Sequence, residues 1–598
     1  MTRLTNQKIL LILIFLGFFL RFFLLPFPGH EHDMAFWKGW SLYGADKGPV
    51  ELVQSGNYYN YPSFFALFMF LIGKIFALFG HPYDIASYWS TTNLGYLILF
   101  KIWAIAGDAL VAWLIYKICQ VKVGPKKALW LSLLFFLSPL ALFDGAFWGQ
   151  VDGLGFLFLI SAIYLLERQK PELASFIFVL GVFFKLQNIV FAPLILGYLF
   201  LFGDLVTFGK SLGFAFLAMV LGNLPYLAKG KAELIFSAFN KNIDYYPYFT
   251  LKANNFWALL TKDGYWENYP DQTLLLGISS AKSLGMAAFV VCYLIATLLI
   301  LRAKKQPTRD VKSGLAGLIL GCSLASISFF TVLTQMHDRY LYSFFPLLLL
   351  YFAFQPSGWP FFKLFAVGWT LIAFNYFISL LASFSFQYQY LGINKLASFL
   401  NSRDFTWFNS GLNTLVFLAL LIYGLSRLPK ALRLTPLLFP ALILIQNLAY
   451  LRQQPIPGSK FLASNWKQSW GQPQKNRSVN SFLGAQNWSR LSNNYYFFEQ
   501  GIGVHAFSEI YLWPNQKLTS LETDYGLETE ATEGAKVNFE VVGDDQILFS
   551  SPPMTKADLP RHLKLNIKGL KRLVLKVNDG GDGINGDHAS WFNLVFYR

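Results

Sequence analysis

The sequence predicts a mainly α-helical polytopic transmembrane bundle of about 13 spans, followed by a C-terminal all-β jelly-roll sandwich. Three observations lead to this fold class. Of the 598 residues, 55% are hydrophobic and 14% are charged, whereas about 25% of an ordinary soluble domain is charged. Apolar runs of near-spanning length recur up to about residue 451. Short alternating segments separated by turn residues follow them.

The first apolar run, 8–26, lacks a small-residue cleavage site and predicts a retained helix with a cytoplasmic N-terminus. Further candidate spans are 93–118, 128–147, 153–167, 172–186, 188–203, 211–228, 282–302, 311–332, 341–354, 360–381, 411–425 and 436–452. Basic clusters such as Lys122, Lys126 and Lys127 mark cytoplasmic loops, because positive residues are retained on that side. These thirteen spans place the C-terminal tail outside. Segment 62–80 would break this parity if it crossed alone, so we expect it to be interfacial or re-entrant, or 88–118 to cross twice.

The net charge of +16 comes from 49 Lys and Arg against 33 Asp and Glu. Since the basic residues cluster in short loops between apolar runs, the lipid bilayer explains this balance and we predict no nucleic-acid partner. The cysteines, Cys119, Cys292 and Cys322, lie in or beside apolar runs without metal-binding or disulfide-framework spacing.

Composition divides the chain into a transmembrane domain at 1–452, a polar linker at 453–480 and a β-sandwich domain at 481–598. The segments 536–542, 546–551 and 571–577 are predicted strands of the sandwich. The tail of about 120 residues is long enough for its own core.

Asp33 lies where the chain leaves the first helix on the outer side. A carboxylate there can deprotonate an acceptor hydroxyl, although a solvated loop acid is the alternative. His30 and His32 with Asp33 form a weak metal-ligand pattern. We predict no metal in the transmembrane domain.

Further polar residues fall in outer loops. Asp144, Gln150 and Asp152 can hydrogen-bond a donor or an acceptor, or can simply form a polar turn. Lys185 ends a short apolar run, where it either binds a lipid phosphate or snorkels.

His337 and Arg339 can neutralise a phosphate leaving group, with Asp338 orienting them. The alternative is a structural cap. These residues together favour group transfer from a phosphate-linked lipid on one membrane face. A proton-coupled transporter would place acids in mid-membrane, where only Asp108 is a candidate.

Five segments then carry a resemblance to a known family. They are YNYPSFF after Asp33, FDGAFWGQVDG, FFKLQNIVFAP, LKANNFWALL at 251–260, and TQMHDRYLYSFFPLLLL. In this order they resemble the GT-C superfamily of polyprenyl-phosphate-sugar-dependent glycosyltransferases. Within this superfamily, the five segments resemble the corresponding segments of the endoplasmic-reticulum glucosyltransferases that extend lipid-linked oligosaccharides. They also resemble those of bacterial mannosyltransferase-like proteins.

This resemblance implies that Asp33 is the catalytic base and that Lys185, His337 and Arg339 contact the donor phosphate. The implied reaction is inverting and needs neither a metal nor a cofactor. Ser63 departs from the family's Tyr-Pro-Pro element, so the resemblance leaves the subfamily and the sugar open.

The tail resembles the NPCBM family of carbohydrate-binding modules, which have a galactose-binding-like jelly roll. The segments are GIGVHAFSEIYL, KVNFEVVGDDQILFSS and RLVLKVNDGGDGINGDHASWFNLVF. In the third segment, acids in a Gly-rich loop lie beside a histidine and a tryptophan, a combination that suits a sugar or a calcium ion. A structural turn is the alternative. The candidate residues of the module are Asp579, Asp582, Asp587, His588 and Trp591. We expect His505 and Glu509 either to lie near this loop or to be only structural.

The sequence therefore predicts an integral-membrane glycosyltransferase that moves a hexose from a polyprenyl-phosphate donor to a glycan, lipid or protein acceptor. We expect transfer on the outer face of the plasma (inner) membrane, with the C-terminal domain on that face. The alternatives are a lipid-linked-sugar transporter or flippase, and a non-catalytic glycan-binding membrane protein.

Overall fold

The structure is a computed structural model and describes residues 2–55, 59–80, 93–242, 246–261, 269–275, 279–304, 311–355, 358–384, 394–434, 456–458, 465–483, 489–494, 496–514 and 518–597. The chain divides into two compact units, Met1–Ile445 and Gln446–Arg598. The first unit is helical and the second is built of β-strands.

The α-helices of the first unit are α1 (Thr2–Leu24), α2 (Glu31–Lys47), α3 (Pro49–Gln54), α4 (Ser63–Phe76), α5 (Leu94–Phe136), α6 (Pro139–Ala141), α7 (Asp152–Glu167), α8 (Pro171–Phe184), α9 (Ala192–Phe202), α10 (Leu205–Gly222), α11 (Leu224–Ala228), α12 (Ser237–Lys241), α13 (Ala281–Lys304), α14 (Val311–Val332), α15 (Phe344–Ala353), α16 (Trp359–Phe384), α17 (Asn394–Leu400), α18 (Arg403–Ser426) and α19 (Lys430–Arg433). A π-helical turn, Leu142–Trp148, and the 3₁₀ helices Leu186–Phe191, Ala232–Phe236, Phe256–Leu260 and Asp338–Leu341 connect them. A two-stranded antiparallel pair, β1 (Leu274–Leu275) and β2 (Ser279–Ser280), completes the unit.

Among the described residues, six helices are long and apolar enough to cross a membrane, namely α5, α10, α13, α14, α16 and α18. Shorter apolar stretches lie at 11–24, 63–76, 171–184 and 186–202. The total of about 13 spans stays a prediction, and the candidate span 436–452 lies outside the described residues. Helix α4 has 14 residues, fewer than the roughly 20 that a straight crossing needs.

Helix α5 is two helices joined at a break. Gly124 has φ +78°, outside helical geometry, and Pro125 follows it. Proline has no amide hydrogen to donate, and it clashes with the preceding helical turn. The break falls within the basic cluster Lys122, Lys126 and Lys127, and thus between the predicted spans 93–118 and 128–147.

The second of these spans ends earlier than predicted. The helix stops at Phe136, and Ser138 Oγ caps the next turn by accepting a hydrogen bond from the Ala141 amide at 3.2 Å. Ser followed by Pro139 is a typical helix start. The capped turn leads directly into the π-helical turn Leu142–Trp148, which therefore belongs to a loop and not to a long helix.

The second unit is an antiparallel β-sandwich. Its strands are β3 (Ile456–Pro457), β4 (Trp466–Gln468), β5 (Gln474–Lys475), β6 (Leu491–Asn493), β7 (Tyr496–Phe498), β8 (Gly501–His505), β9 (Ser508–Leu512), β10 (Ser520–Leu527), β11 (Lys536–Gly543), β12 (Gln546–Ser550), β13 (Met554–Thr555), β14 (Arg561–Asn566), β15 (Leu573–Asn578) and β16 (His588–Tyr597). One sheet has the order β14-β10-β16-β8-β5 with β3 on β16, and the other β12-β11-β15-β9-β4 with β13 on β11.

The predicted strands at 536–542, 546–551 and 571–577 are confirmed as β11, β12 and β15. Their alternating burial packs Val537, Phe539 and Val541 between the sheets. The sandwich begins earlier than predicted, because β3, β4 and β5 lie within 453–480 and pair with its sheets. Their polar composition suits short edge strands, which sequence alone does not separate from a linker.

Candidate functional site

The first turn of α2 carries Asp33 against the π-helical turn. Gly29 precedes it with φ +77°, and a Cβ there would lie 2.3 Å from the carbonyl oxygen of Trp148. Glycine is the residue that permits both this conformation and this close approach. The amide of His30 donates to that same carbonyl oxygen at 3.3 Å. The loop after α1 is thereby fixed to the loop after α5.

Two donors hold the carboxylate of Asp33. Trp148 Nε1 donates to Oδ2 at 2.8 Å and Gln150 Nε2 donates to Oδ2 at 2.5 Å. Gly149, with φ +82°, turns the chain between these donors. The Asp33 side chain is 21% exposed. Because both donors bind Oδ2, Oδ1 is the oxygen better placed to accept a proton.

Arg339 supplies the positive charge beside Asp33. Its guanidinium lies 6.0 Å from the centroid of the Trp148 ring and 4.0 Å from Asp338 Oδ1. Burial alone would raise the pKa of Asp33. The charges of Arg339 and His30, together with the Trp148 hydrogen bond, hold that pKa below its usual value. Asp33 is therefore ionised at neutral pH.

His337 precedes this arginine and is electrically neutral. Burial, followed by the charge of Arg339, lowers the pKa of His337 to about 3. Its backbone forms bridges with Leu251 and Lys252, and its ring packs against Tyr340 at 5.3 Å. It can contribute a hydrogen bond, but not the positive charge that the sequence suggested.

The segment 251–260 is fastened to the end of α14. Asn255 Nδ2 donates to the Phe330 carbonyl at 3.0 Å, and Trp257 Nε1 donates to the Val332 carbonyl at 2.7 Å. Asn255 Oδ1 also accepts from the first amides of the 3₁₀ helix that follows. These bonds set the position of His337 on its bridging partners.

His30, His32 and Asp33 are not grouped as metal ligands in the structure. His30 Nδ1 is 3.8 Å from Asp33 Oδ2, and its ring stacks on Trp148 with centroids 5.3 Å apart. The rings of His30 and His32 are 5.9 Å apart. Within the described part of the chain, no three His, Cys, Asp or Glu side chains are grouped to hold a metal ion.

Lys185 and Asp152 form a fully buried ion pair through Nζ and Oδ1. Asp144 lies within electrostatic range of both, and neither of its carboxylate oxygens has a hydrogen-bond partner in the described residues. Arg339 is within electrostatic range of Lys185 as well. The predicted polar residues therefore form two neighbouring groups, one around Asp33 and one around Lys185, with Arg339 acting on both.

Sequence reasoning missed Lys101, which organises the site from beneath. It is completely buried in α5. Its Nζ donates to the carbonyls of Phe27, Ala146 and Phe147 at 2.7, 3.0 and 2.8 Å. The ammonium thus ties the exit of α1 to the turn that carries Trp148. A lysine in an apolar run is the only sequence signal of this role.

Asp108, the candidate acid of a transporter, is instead part of a buried ion pair. Arg21 NH2 lies 3.3 Å from Asp108 Oδ2, and Tyr342 Oη donates to Asp108 Oδ1 at 2.8 Å. A Cβ at Gly145 or Gly153 would lie 2.8 or 2.2 Å from the Asp108 carboxylate. The pair therefore supports both ends of the segment that carries Asp144, Gln150 and Asp152.

The β-sandwich carries a second candidate site, formed by two histidines and a tryptophan. His505 on β8 pairs with His588 on β16, and their ring centroids are 5.3 Å apart. Trp470 packs on His505 at 5.1 Å and on His588 at 5.4 Å, while 38% of its surface stays exposed. Burial lowers the pKa of His588 to about 4, so this histidine is neutral. An exposed indole beside neutral imidazoles suits a sugar ring.

Two predicted residues lie elsewhere in the sandwich. Trp591 is completely buried and packs on Phe539 with centroids 5.1 Å apart, so its ring does not face a ligand. It is an inward-facing residue of β16, whereas Trp470 precedes β5 in the segment expected to be a linker. Glu509 Oε1 binds Lys576 Nζ at 2.8 Å on the other sheet from His505.

The acids of the Gly-rich loop lie near one another. Burial, with the charges of Asp582 and Asp579, raises the pKa of Asp587 to about 7. Asp587 is completely buried, and neither of its carboxylate oxygens has a hydrogen-bond partner in the described residues. The three acids are not grouped to hold a metal ion as they stand. Calcium binding here stays a prediction.

The two units of the chain match two different family models. Residues 59–331 match the model of glycosyltransferase family 87, a GT-C-type family, and residues 456–597 match the NPCBM/NEW2 domain. The predicted combination of a GT-C-type glycosyltransferase region with an NPCBM domain is confirmed, and six of the described helices are long and apolar enough to cross a membrane.

Solved structures show weaker similarity. ArnT from Cupriavidus metallidurans, bound to undecaprenyl phosphate, is 13% identical over 73% of this chain and 75% of its own, with a TM-score of 0.39. Arabinosyltransferase EmbB from Mycobacterium smegmatis is 12% identical over 95% and 64%, with a TM-score of 0.23. CBM51 from Clostridium perfringens GH95, in complex with methyl-galactose, is 28% identical over 24% and 99%, with a TM-score of 0.22. No curated protein matches the sequence.

Proposed function

We propose that the protein is an inverting hexosyltransferase that uses a polyprenyl-phosphate-linked hexose on the outer face of the plasma (inner) membrane. The observation that carries this proposal is the partly exposed, ionised carboxylate of Asp33, held by two donors beside Arg339. A fixed carboxylate next to a fixed cation suits removal of a proton from an acceptor and departure of an anion.

The chemical step needs only these groups. Asp33 takes the proton of an acceptor hydroxyl while the hydroxyl oxygen attacks the anomeric carbon of the donor. The bond between that carbon and the phosphate oxygen breaks, and its electron pair leaves with the polyprenyl phosphate. Attack from the opposite side inverts the anomeric configuration.

Arg339 links donor binding to the basicity of Asp33. In the free protein its charge lowers the pKa of Asp33. A donor phosphate bound to Arg339 would offset that charge, so the carboxylate becomes a stronger base when the donor is present. His337, being neutral, would donate or accept one hydrogen bond.

Lys185 has a narrower role than the sequence suggested. Its ammonium is completely buried and bonded to Asp152. A direct contact with the phosphate therefore requires the ammonium to bind the phosphate and Asp152 together. We keep Lys185, Asp144 and Asp152 as residues of the donor site on the strength of their charge and their proximity to Arg339.

The test of the reaction is transfer from radiolabelled polyprenyl-phosphate-glucose and -mannose to membrane acceptors. Asp33→Asn should lower transfer by roughly 10²–10⁴-fold, the usual contribution of a general base. Asp46→Asn is the matched control, because Asp46 is an acid of the same helix that pairs with Lys47 at 3.0 Å. Transfer should persist in EDTA.

Two results would contradict the proposal. Equal transfer by wild type and Asp33→Asn would remove Asp33 as the base. Donor binding without transfer, together with movement of the lipid-linked sugar across vesicles, would establish a transporter instead.

We also propose that the NPCBM domain binds a glycan on Trp470, His505 and His588 and keeps the acceptor or product close. In the full chain, Trp470→Ala should abolish retention on a galactose, glucose or mannose matrix. Trp513→Ala is the control, because Trp513 is 52% exposed and lies outside this cluster. Equal retention of both variants would contradict the assignment.

A further inference from the structure

A polar cleft borders the Asp33 site in the helical unit. The space inside it, its open side included, is about 540 Å³. Its walls are the loop 250–261, the end of α16, and the junction of α17 and α18. Eight of its twelve lining residues are polar: Thr250, Lys252, Asn254, Thr261, Ser379, Ser383, Asn401 and Thr406.

The hydrogen-bonding character of this lining selects its ligand. Thr250 Oγ1 donates to the Ala253 carbonyl at 2.7 Å, and Thr261 Oγ1 donates to the Ala258 carbonyl at 2.8 Å. Ser379 Oγ donates to Asn409 Oδ1 at 2.5 Å. A hydroxyl has one proton, so these three groups offer a ligand lone pairs alone. A ligand that donates hydrogen bonds therefore suits these three groups.

This preference separates ligand classes. An ionised phosphate has no proton to donate to these hydroxyls, and the lining offers it a single cationic side chain, Lys252. An acyl chain would leave the polar lining unsatisfied. A saccharide presents several hydroxyl donors, and its small apolar faces fit the Ala253, Ala258 and Ala382 surface.

The cleft is connected to the proposed base by two packed side chains. Ser383 lines the cleft, and the next residue, Phe384, packs on Trp148 with ring centroids 4.5 Å apart. Trp148 in turn donates to Asp33. On the adjoining wall, the backbone of Lys252 forms a bridge with His337.

We propose that this cleft is a saccharide subsite of the transferase, occupied by a sugar ring of the acceptor or by the hexose of the donor. The proposal rests on the proposed function for its role in transfer, but saccharide binding itself is testable without any transfer.

The first experiment is protection of a cysteine by sugar. Asn401 is exposed and lines the cleft, so Asn401→Cys in the full chain places a reactive thiol there. The natural cysteines, Cys119, Cys292 and Cys322, are buried. Methyl glucoside, mannoside or galactoside at twice its Kd should slow maleimide labelling about threefold, because one third of the sites stay free. Sorbitol is the solute control, and Asp404→Cys is the control position. Thr406→Cys is a second reporter in the cleft.

No protection at either reporter by any of the three sugars would overturn the proposal, and so would equal protection of Asp404→Cys. Neither result depends on whether the protein transfers a hexose, so failure here is distinct from failure of the Asp33 test.

The second experiment identifies the source of the sugar. Thr406→Val should lower transfer about tenfold, equivalent to about 1.4 kcal/mol, while Thr406→Ser and the control Thr414→Val keep it. Loss of transfer with unchanged donor binding assigns the cleft to the acceptor. Weaker binding of the sugar-linked lipid, with unchanged binding of undecaprenyl phosphate, assigns it to the donor hexose. Unchanged transfer by Thr406→Val, or equal loss in Thr406→Ser, would overturn the role in transfer.

Discussion

Gln150 Nε2 donates to Asp33 Oδ2 at 2.5 Å across 117 residues of sequence. The bond joins the first turn of α2 to the segment that follows the π-helical turn Leu142–Trp148. It also leaves one carboxylate oxygen of Asp33 for proton transfer. The orientation of the base therefore depends on a neutral amide that takes no part in the proton transfer.

We expect Gln150→Ala to lower transfer about 10–100-fold, because a hydrogen bond to a charged group contributes about 1.5–3 kcal/mol. Gln150→Glu should be at least as damaging, since it places a second carboxylate against Asp33. Initial transfer rates at saturating donor measure both effects. Gln54→Ala, on an exposed position of α3, should change nothing, and an unaffected Gln150→Ala would show that Trp148 alone orients the base.

Arg339 should set the acidic limb of the pH–rate profile. Asp33 must be ionised to act, and Arg339 is the strongest charge lowering its pKa. In Arg339→Gln that pKa rises, so the acidic limb should move to higher pH, in addition to a fall in maximal rate from the weaker phosphate contact. Arg339→Lys should keep most of the limb's position. The pH dependence of kcat/KM for the donor from pH 4 to 9 tests this, because it reports the protein without bound donor. An unmoved limb in Arg339→Gln would separate Arg339 from Asp33.

Much of the helical unit is predictable because apolar runs and basic loops report directly on membrane crossing. The motifs also place Asp33, Gln150 and Arg339 in loops, which the structure brings together. Sequence spacing does not reveal that Lys185 is neutralised by Asp152 33 residues earlier, or that burial keeps His337 uncharged. Those facts depend on which helices pack together.

The same limit explains the tryptophans of the sandwich. Trp591 follows the acidic loop and suggests a binding face, but its position in β16 points it between the sheets. Trp470 lies in a Gln- and Ser-rich stretch that lacks clear strand periodicity. Its contact with His505 and His588 arises when β4 and β5 pair at the sheet edges.

Lys101 should be essential to the stability of the site. Lys101→Met would leave the carbonyls of Phe27, Ala146 and Phe147 without this donor. At about 1–3 kcal/mol for each unsatisfied buried group, the cost is several kcal/mol. We expect a lower thermal unfolding temperature in detergent and loss of transfer, with partial recovery in Lys101→Arg. Lys117→Met, on the same helix, is the control. An unchanged unfolding temperature in Lys101→Met would mean that water or another donor replaces the ammonium.

Glu528 should make the sandwich less stable as pH rises. Its carboxylate is buried and accepts a hydrogen bond from Ser590 Oγ at 2.5 Å, and another from Ser478. Burial raises its pKa to about 8, against the opposing effect of the two serines. Because an unfolded glutamate titrates near pH 4.3, the folded domain holds the extra proton between that pH and about 8.

The stabilising effect of that proton is fully present below about pH 4 and is lost as pH rises through about 8, with a slope of up to about 1.4 kcal/mol per pH unit. The proton held by Asp587 also stabilises the folded domain, and this contribution is lost as pH rises through about 7. Bound calcium would remove the contribution of Asp587, because it favours the ionised carboxylate. Unfolding of the sandwich in the full chain, followed from pH 5 to 9, should show a falling stability that is shallower in Glu528→Gln. Equal slopes in wild type and Glu528→Gln would mean that Glu528 is already ionised in the folded domain, which would require a cation or water beside Ser478 to stabilise its charge.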